Sequence, residues 1–95
     1  MWNHIEYFNW LSEDCPVKLD VFELNISNQN INSLGPINDL PNLYKICFSN
    51  DKIHSLEPLK DCKNLQIIEC SNNKINSLDS LEQLKKLTYS PSKKN

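Results

Sequence analysis

The sequence predicts an α/β fold of stacked coils, with a short parallel sheet along one side, 3₁₀ or α-helical turns along the other, and a capping helix at the N-terminal end. Three observations support this prediction. The octets SNQNINSL, SNDKIHSL and SNNKINSL begin at residues 27, 49 and 71, a constant interval of 22 residues. Apolar residues recur at the same seven positions of every interval. The first 20 residues depart from this pattern and have the spacing of an amphipathic helix.

The repeating part divides into units 21–42, 43–64 and 65–86, with apolar residues at positions 1, 4, 6, 11, 14, 17 and 20 of each unit. Positions 4 and 6 alternate, as side chains on one face of a strand do. Positions 14, 17 and 20 step by three, which favours a 3₁₀ or short α-helical segment. Each unit is therefore predicted to be a strand, a turn and a helical return segment. Such a unit cannot bury its apolar face alone, so the units are expected to stack.

The return segments carry start signals. Pro36 and Pro58 occupy position 16, where a first helical turn accepts a missing N–H. Ser33, Ser55 and Ser77 occupy position 13 and are predicted to cap the segments.

The pattern LxxLxLxxNxIxxLxxLxxLxxL over residues 19–87 resembles the leucine-rich repeat. The 22-residue subtype, with LEPLKDCKNL, is similar to that of the internalins and of the leucine-rich regulatory subunit of type-1 protein phosphatase. The resemblance implies a right-handed leucine-rich-repeat solenoid, with the sheet on a concave face and the 3₁₀ or α turns on a convex face. It also implies a role in protein binding.

Position 9 departs from the family, which favours Asn there to hydrogen-bond the turn between units. The chain has Gln29, Asp51 and Asn73, so the hydrogen-bond ladder is predicted to be weaker at the first two units. Position 8, one residue earlier, could take over some of these bonds. It holds Asn28, Asn50 and Asn72.

The two ends of the array are expected to differ, within a single domain over residues 1–95. Residues 1–20 are predicted to form a cap, with a helix over roughly 3–14 that Pro16 stops. The helix has Ile5, Phe8 and Leu11 at steps of three, and the side chains predicted to cover the first repeat are Trp2, Phe8 and either Trp10 or Leu11. Residues 87–95 are predicted to be a truncated repeat and a frayed basic tail, because Pro91 cannot donate to a strand ladder.

Composition bounds the function. The net charge is −2, the pI is about 5.6, and all ten basic residues are Lys, so we expect neither nucleic acid nor a membrane as partner. Fourteen Asn with no Arg or Ala suggest an AT-rich genome, such as that of a protist, a virus or a low-GC bacterium. The N-terminus does not resemble a signal peptide, which predicts a cytoplasmic protein, with a nuclear location also open. Its four cysteines should then be reduced, and their spacing fits neither a metal site nor a cofactor.

The outward positions of the predicted strands give the candidate partner-binding residues. A protein-binding patch needs ordered aromatic and apolar anchors surrounded by polar groups, and these positions supply both. The candidates are Phe22, Glu23, Asn25, Tyr44, Lys45, Cys47, Ile67, Glu69 and Tyr89. The sequence therefore predicts a non-catalytic module that binds a protein through the concave sheet.

Two alternatives stay open. A self-assembling scaffold would form a homo-oligomer through the C-terminal end, where unit 65–86 is predicted to have no helical cap. A cysteine enzyme would use Cys47, the one cysteine predicted to be exposed. We rank the enzyme last, because Glu69 beside Cys47 should raise the thiol pKa.

Overall fold

Three short strands form one parallel sheet in the structure, a computed structural model that describes residues 2–75. They are β1 (Glu23–Asn25), β2 (Lys45–Cys47) and β3 (Ile67–Glu69), side by side in chain order. Each residue pairs with the one 22 positions further along the chain, so Glu23 lies beside Lys45 and Lys45 beside Ile67. With helix α1 (His4–Ser12), these strands make an α/β domain in which the strand register equals the sequence repeat.

The predicted apolar positions form the core. Leu24, Ile46 and Ile68, at position 4 of their units, are at most 1% exposed. Positions 1 and 6 are buried in all three units, and positions 14, 17 and 20 in the two units that the structure describes to that point. Position 11 is less consistently buried, because Ile53 is buried whereas Ile31 and Ile75 are only partly buried.

Two 3₁₀ helices, Ile37–Asp39 and Glu57–Leu59, lie where return segments were predicted. Ser55 directly precedes the N-cap residue, Leu56, and its Oγ accepts the N–H of Glu57 at 3.3 Å, so it bonds the first helical residue although it is not itself the N-cap. The prediction for Ser33 was wrong, because Ser33 makes no such bond. Gly35, which stands where Glu57 does, has a φ of +68°, so the chain enters the first return segment along a different path. Ser77 lies outside the described residues.

Of the side chains predicted to cover the first repeat, Trp10 is buried and Trp2 and Leu11 are partly buried, whereas the prediction for Phe8 was wrong; the N-terminal helix itself is present. A capping box starts it: the Asn3 side chain accepts the N–H of Glu6, whose own side chain accepts the N–H of Asn3. The buried residues are Tyr7 and Trp10, each 1% exposed, whereas Phe8 is 43% exposed. Ile5 and Leu19 are also exposed, at 57% and 64%, and Leu11 is partly buried.

Partners for the polar ends of the buried rings explain this choice of face. The Tyr7 hydroxyl donates to the carbonyl of Leu34 at 2.9 Å, and the Trp10 indole N–H donates to the carbonyl of Pro16 at 2.8 Å. Both rings can therefore be buried without an unsatisfied donor. The helix thus lies against the first repeat unit through these two aromatic residues.

Trp2 extends the sheet beyond β1. Its N–H donates to the carbonyl of Glu23 at 2.9 Å, and its carbonyl accepts the N–H of Asn25 at 2.8 Å. This one-residue bridge covers the edge that β1 would otherwise present. The sequence predicted Trp2 as part of the cap but not as a backbone partner of the sheet.

The turns after the strands show how position 9 works. The Asn73 side chain accepts the N–H of Ile53 at 2.9 Å and donates to the carbonyls of Phe48, Cys70 and Ser71 at 2.7–3.1 Å. One Asn side chain thus joins two neighbouring turns and satisfies both kinds of backbone group.

Asp51 supplies only the accepted hydrogen bonds and none of the donated ones. Its Oδ1 accepts the N–H groups of Gln29 and Ile31, both at 3.0 Å, while its Oδ2 is buried with no hydrogen-bond partner. Gln29 uses its amide within its own turn, donating to the carbonyl of Ser27 at 3.1 Å. The position-9 side chains of the first two units thus make fewer hydrogen bonds than Asn73 does, which agrees with the predicted difference between the units.

The asparagines at position 8 serve the turn geometry. All three have positive φ, between 57° and 62°, a region that Asn tolerates better than most residues. Asn72 also donates its side-chain amide to Asn50 at 2.8 Å. Their contribution is therefore the left-handed bend itself, and they do not replace the bonds that Asp51 lacks.

The remaining sequence predictions for residues 76–95, including the truncated repeat and tail, lie outside the described residues. Within residues 2–75, no helix has the length and apolar character needed to cross a membrane.

Candidate functional site

The outward side chains of the sheet define the candidate site, which we call the outer face. Because Leu24, Ile46 and Ile68 point into the core, their strand neighbours point the other way. The outer face comprises Glu23, Asn25, Lys45, Cys47, Ile67 and Glu69, with Phe22 and Tyr44 directly before the first two strands. The structure thus brings together eight of the nine predicted site residues, and Tyr89 lies outside the described residues.

The outer face mixes exposed and half-buried groups. Phe22 is 53% exposed, and Asn25 and Glu69 are also exposed. The partly buried residues are Glu23, Tyr44, Lys45 and Ile67. An apolar and aromatic surface with charged neighbours is therefore open to contact.

Cys47 corrects one prediction. It points outward as expected but is only 6% exposed, because it lies on the central strand, with Asn25 and Glu69 beside it in register. Its Sγ donates to Oε1 of Glu69 at 3.1 Å. Burial, followed by this hydrogen bond and the Glu69 charge, raises the pKa of the Cys47 thiol to about 12. The group is thus a protonated donor near neutral pH, without the thiolate that a nucleophile needs.

A second hydrogen bond orders the other end of the outer face. The Tyr44 hydroxyl donates to Oε2 of Glu23 at 2.7 Å, and this bond raises the pKa of Tyr44 above its usual range. Lys45 lies between Glu23 and Ile67 in the register and forms no ion pair with any residue among 2–75. Two cross-strand pairs therefore fix side chains on the face and leave a lysine unpaired.

A small cavity adjoins the outer face at the β1 end. Its volume is about 170 Å³, and its lining comprises Trp2, Asp20, Val21, Phe22 and Glu23. Sequence reasoning missed Trp2 and Asp20 here, because both precede the first unit and the repeat pattern says nothing about them. The backbone bridge from Trp2 to β1 is what brings the indole to this edge.

Other chemistry-bearing side chains lie away from the outer face. His54 lines a cavity of about 410 Å³ along the return segments, together with Ser33, Ser55 and Glu57. In the part of the chain that the structure describes, no three His, Cys, Asp or Glu side chains are grouped so that they could hold a metal ion.

No protein-family model matches the chain, and a search of curated proteins finds no match either. The interpretation of the outer face therefore depends on its own geometry and chemistry.

Proposed function

We propose that the protein is a non-catalytic leucine-rich-repeat module that binds a protein partner through the outer face of its sheet. In this proposal the chain is a right-handed solenoid, and the outer face is its concave side. The 22-residue register of the strands and the 3₁₀ segments opposite them support the family assignment. The partly buried Asn73 side chain, which hydrogen-bonds backbone carbonyls of the turn, supports it too, because it occupies the position where the family favours Asn.

One observation carries the binding proposal: the side chains of the outer face are already ordered. Hydrogen bonds fix Tyr44 to Glu23 and Cys47 to Glu69, across two pairs of strands. Binding a partner to ordered side chains loses less conformational entropy than binding to mobile ones. Phe22 and Ile67 add exposed or half-exposed apolar surface beside them.

The size of the outer face bounds the affinity. Three strands at the usual sheet spacing make a strip about 10–15 Å across. A strip of this width offers less contact area than a typical stable interface, which buries about 800 Å² on each partner. We therefore expect a short segment of the partner as the contact, with modest affinity.

A cytoplasmic location is part of the proposal. Cys47 and Cys62 are buried thiols that form no disulfide among residues 2–75, and a reducing compartment preserves such thiols.

A displayed library of random peptides, selected on the immobilised protein, tests the proposal. A photo-crosslinking residue is placed at Ile67 on the outer face and, as the matched control, at the exposed Lys52 in the turn region. We expect selected peptides to crosslink at position 67 and not at position 52.

The double variant Tyr44→Ala/Ile67→Ala should abolish capture of these peptides while changing the free energy of unfolding by less than about 1 kcal/mol, because neither side chain belongs to the core. Crosslinks at position 52 in place of 67, or capture that survives the double variant, would contradict the proposal.

A further inference from the structure

Carboxylates outnumber cations on the described outer face. Glu23 and Glu69 lie on β1 and β3, the outer two of the three described strands, and Lys45 lies on β2 between them. Each carboxylate uses one oxygen to accept a hydrogen bond from the face, Oε2 of Glu23 from Tyr44 and Oε1 of Glu69 from Cys47. The second oxygen of each accepts no hydrogen bond from a described residue. The two carboxylates are therefore held in place with an acceptor left for a ligand.

The cavity beside Phe22 adds acid and aromatic surface at the same end. Asp20 and Glu23 supply carboxylates, and Trp2 and Phe22 supply ring surface. This is the chemistry that receives a Lys or Arg side chain, because the aliphatic stem packs against rings while the charged head reaches the carboxylates. The cavity volume, about 170 Å³, is suited to one side chain and not to a folded domain.

The pKa of the Cys47 thiol, in the middle of the outer face, reflects the same excess of negative charge. Glu69 and Glu23 raise its pKa, and the opposing effect of Lys45 does not cancel that of Glu69. Burial remains the largest cause of the raised pKa of Cys47. The effect of the two glutamates on this pKa agrees with the excess of carboxylates on the outer face.

We propose that the occupant of the outer face is a basic segment of a partner protein, with one Lys or Arg in the cavity beside Phe22 and another at Glu69. This inference rests on the proposed function and adds the chemistry of the partner. Glu23 and Glu69 are two strands apart, about 10 Å at the usual sheet spacing, which two long basic side chains of one extended segment can span.

Fluorescence anisotropy with labelled synthetic peptides tests the inference. One probe alternates Lys with Tyr, and its matched control carries Glu in place of every Lys. The protein variants are Glu23→Gln and Glu69→Gln, which keep an oxygen to accept from Tyr44 and Cys47 but remove the charge. Asp61→Asn is the control variant, because it changes the net charge equally at an exposed site on the return side.

We expect the Lys peptide to bind and the Glu peptide not to bind. Each Gln variant should weaken the Lys peptide about two- to five-fold, as expected for a partly exposed charge pair. Asp61→Asn should leave its affinity unchanged. Equal affinity for the two peptides would overturn the inference, as would a loss with Asp61→Asn as large as the loss with Glu23→Gln, since net charge alone would then explain binding.

The peptide library separates this inference from the proposed function. If selected peptides crosslink at position 67 but are neutral or acidic, the binding function stands and the basic-partner inference fails. If no selected peptide crosslinks at position 67, the proposed function itself fails.

Discussion

Asp51→Asn should stabilise the protein, although it replaces a side chain that already makes two hydrogen bonds. Asp51 accepts the N–H groups of Gln29 and Ile31 through Oδ1, and an Asn carbonyl oxygen can accept both. The second oxygen, Oδ2, is buried without a partner, in a residue that is 5% exposed. Asn73, one repeat later, shows what an amide nitrogen does in the equivalent place: it donates to three backbone carbonyls.

Three contributions set the magnitude. New donor bonds at position 51 should contribute about 0.5–1.5 kcal/mol each, and removing an unsatisfied buried acceptor about 1–3 kcal/mol. Opposing these, the two bonds to Oδ1 lose the extra strength of a charged acceptor, about 1 kcal/mol each. With one new donor bond for each of the two amide N–H groups, these contributions sum to about 0–4 kcal/mol, and we expect a net gain of about 2 kcal/mol in the free energy of unfolding. For a domain of this size, this corresponds to a rise in Tm of roughly 8–16 °C.

Urea unfolding followed by far-UV circular dichroism measures this change. Asp61→Asn is the matched control, because Asp61 is exposed, and its variant should change stability by less than about 0.5 kcal/mol. The reverse exchange, Asn73→Asp, should destabilise by about 2–4 kcal/mol, because it removes the two amide N–H donors that three carbonyls share and places a carboxylate oxygen against those carbonyls. A lower free energy of unfolding for Asp51→Asn would contradict this expectation, since Oδ2 would then be making a favourable interaction as an anion.

Three further predictions follow from the buried groups. Burial raises the thiol pKa values of Cys47 to about 12 and Cys62 to about 11, so the unfolded chain loses these protons first and stability should fall as the pH rises above about 9, measured by urea unfolding at several pH values. Iodoacetamide should label the partly exposed Cys15 in the native protein and the three buried thiols, those of Cys47, Cys62 and Cys70, only on unfolding, read by mass spectrometry; rapid native labelling of Cys47 would contradict its burial. Tyr7→Ala should lower the free energy of unfolding by about 3–5 kcal/mol and Phe8→Ala by about 1 kcal/mol or less, measured by denaturant unfolding. The opposite order would show that Phe8 is buried in place of Tyr7.

The sheet could be predicted from the sequence because burial repeats with the chain. Apolar residues two positions apart, such as Leu24 and Ile26, mark the strand, and their recurrence 22 residues later sets the register. Position 9 was also informative, since the chemistry of Asp and Gln already limits the bonds they can make. At these positions the residue type and its place in the repeat predict the same structure, so the structure of one unit predicts that of the next.

The cap could not be predicted in the same way. Ile5 and Phe8 are three residues apart, and so are Tyr7 and Trp10, so spacing alone does not choose between the two faces of the helix. The choice depends on carbonyl acceptors at Leu34 and Pro16, which the folded chain brings to the aromatic donors. This is tertiary information that helical periodicity does not contain.

Cys47 shows a different limit. Strand alternation predicts its direction correctly, but direction does not determine exposure on a central strand. A small side chain there is covered by its neighbours in register, and the hydrogen bond to Glu69 holds one of those neighbours over it. Reading exposure from alternation therefore fails for short side chains between larger ones.

The two sides of the sheet are inferred to have different roles, one in the core and one in binding. A comparison of the free energies of unfolding of Ile46→Ala and Ile67→Ala is the strongest single test of this inference. Ile46 is 0% exposed and Ile67 is partly buried on the outer face. We expect a cost of about 2–5 kcal/mol for Ile46→Ala and of less than about 1 kcal/mol for Ile67→Ala. Equal costs, or a larger cost at Ile67, would show that the outer face is part of the core and would contradict this division of roles.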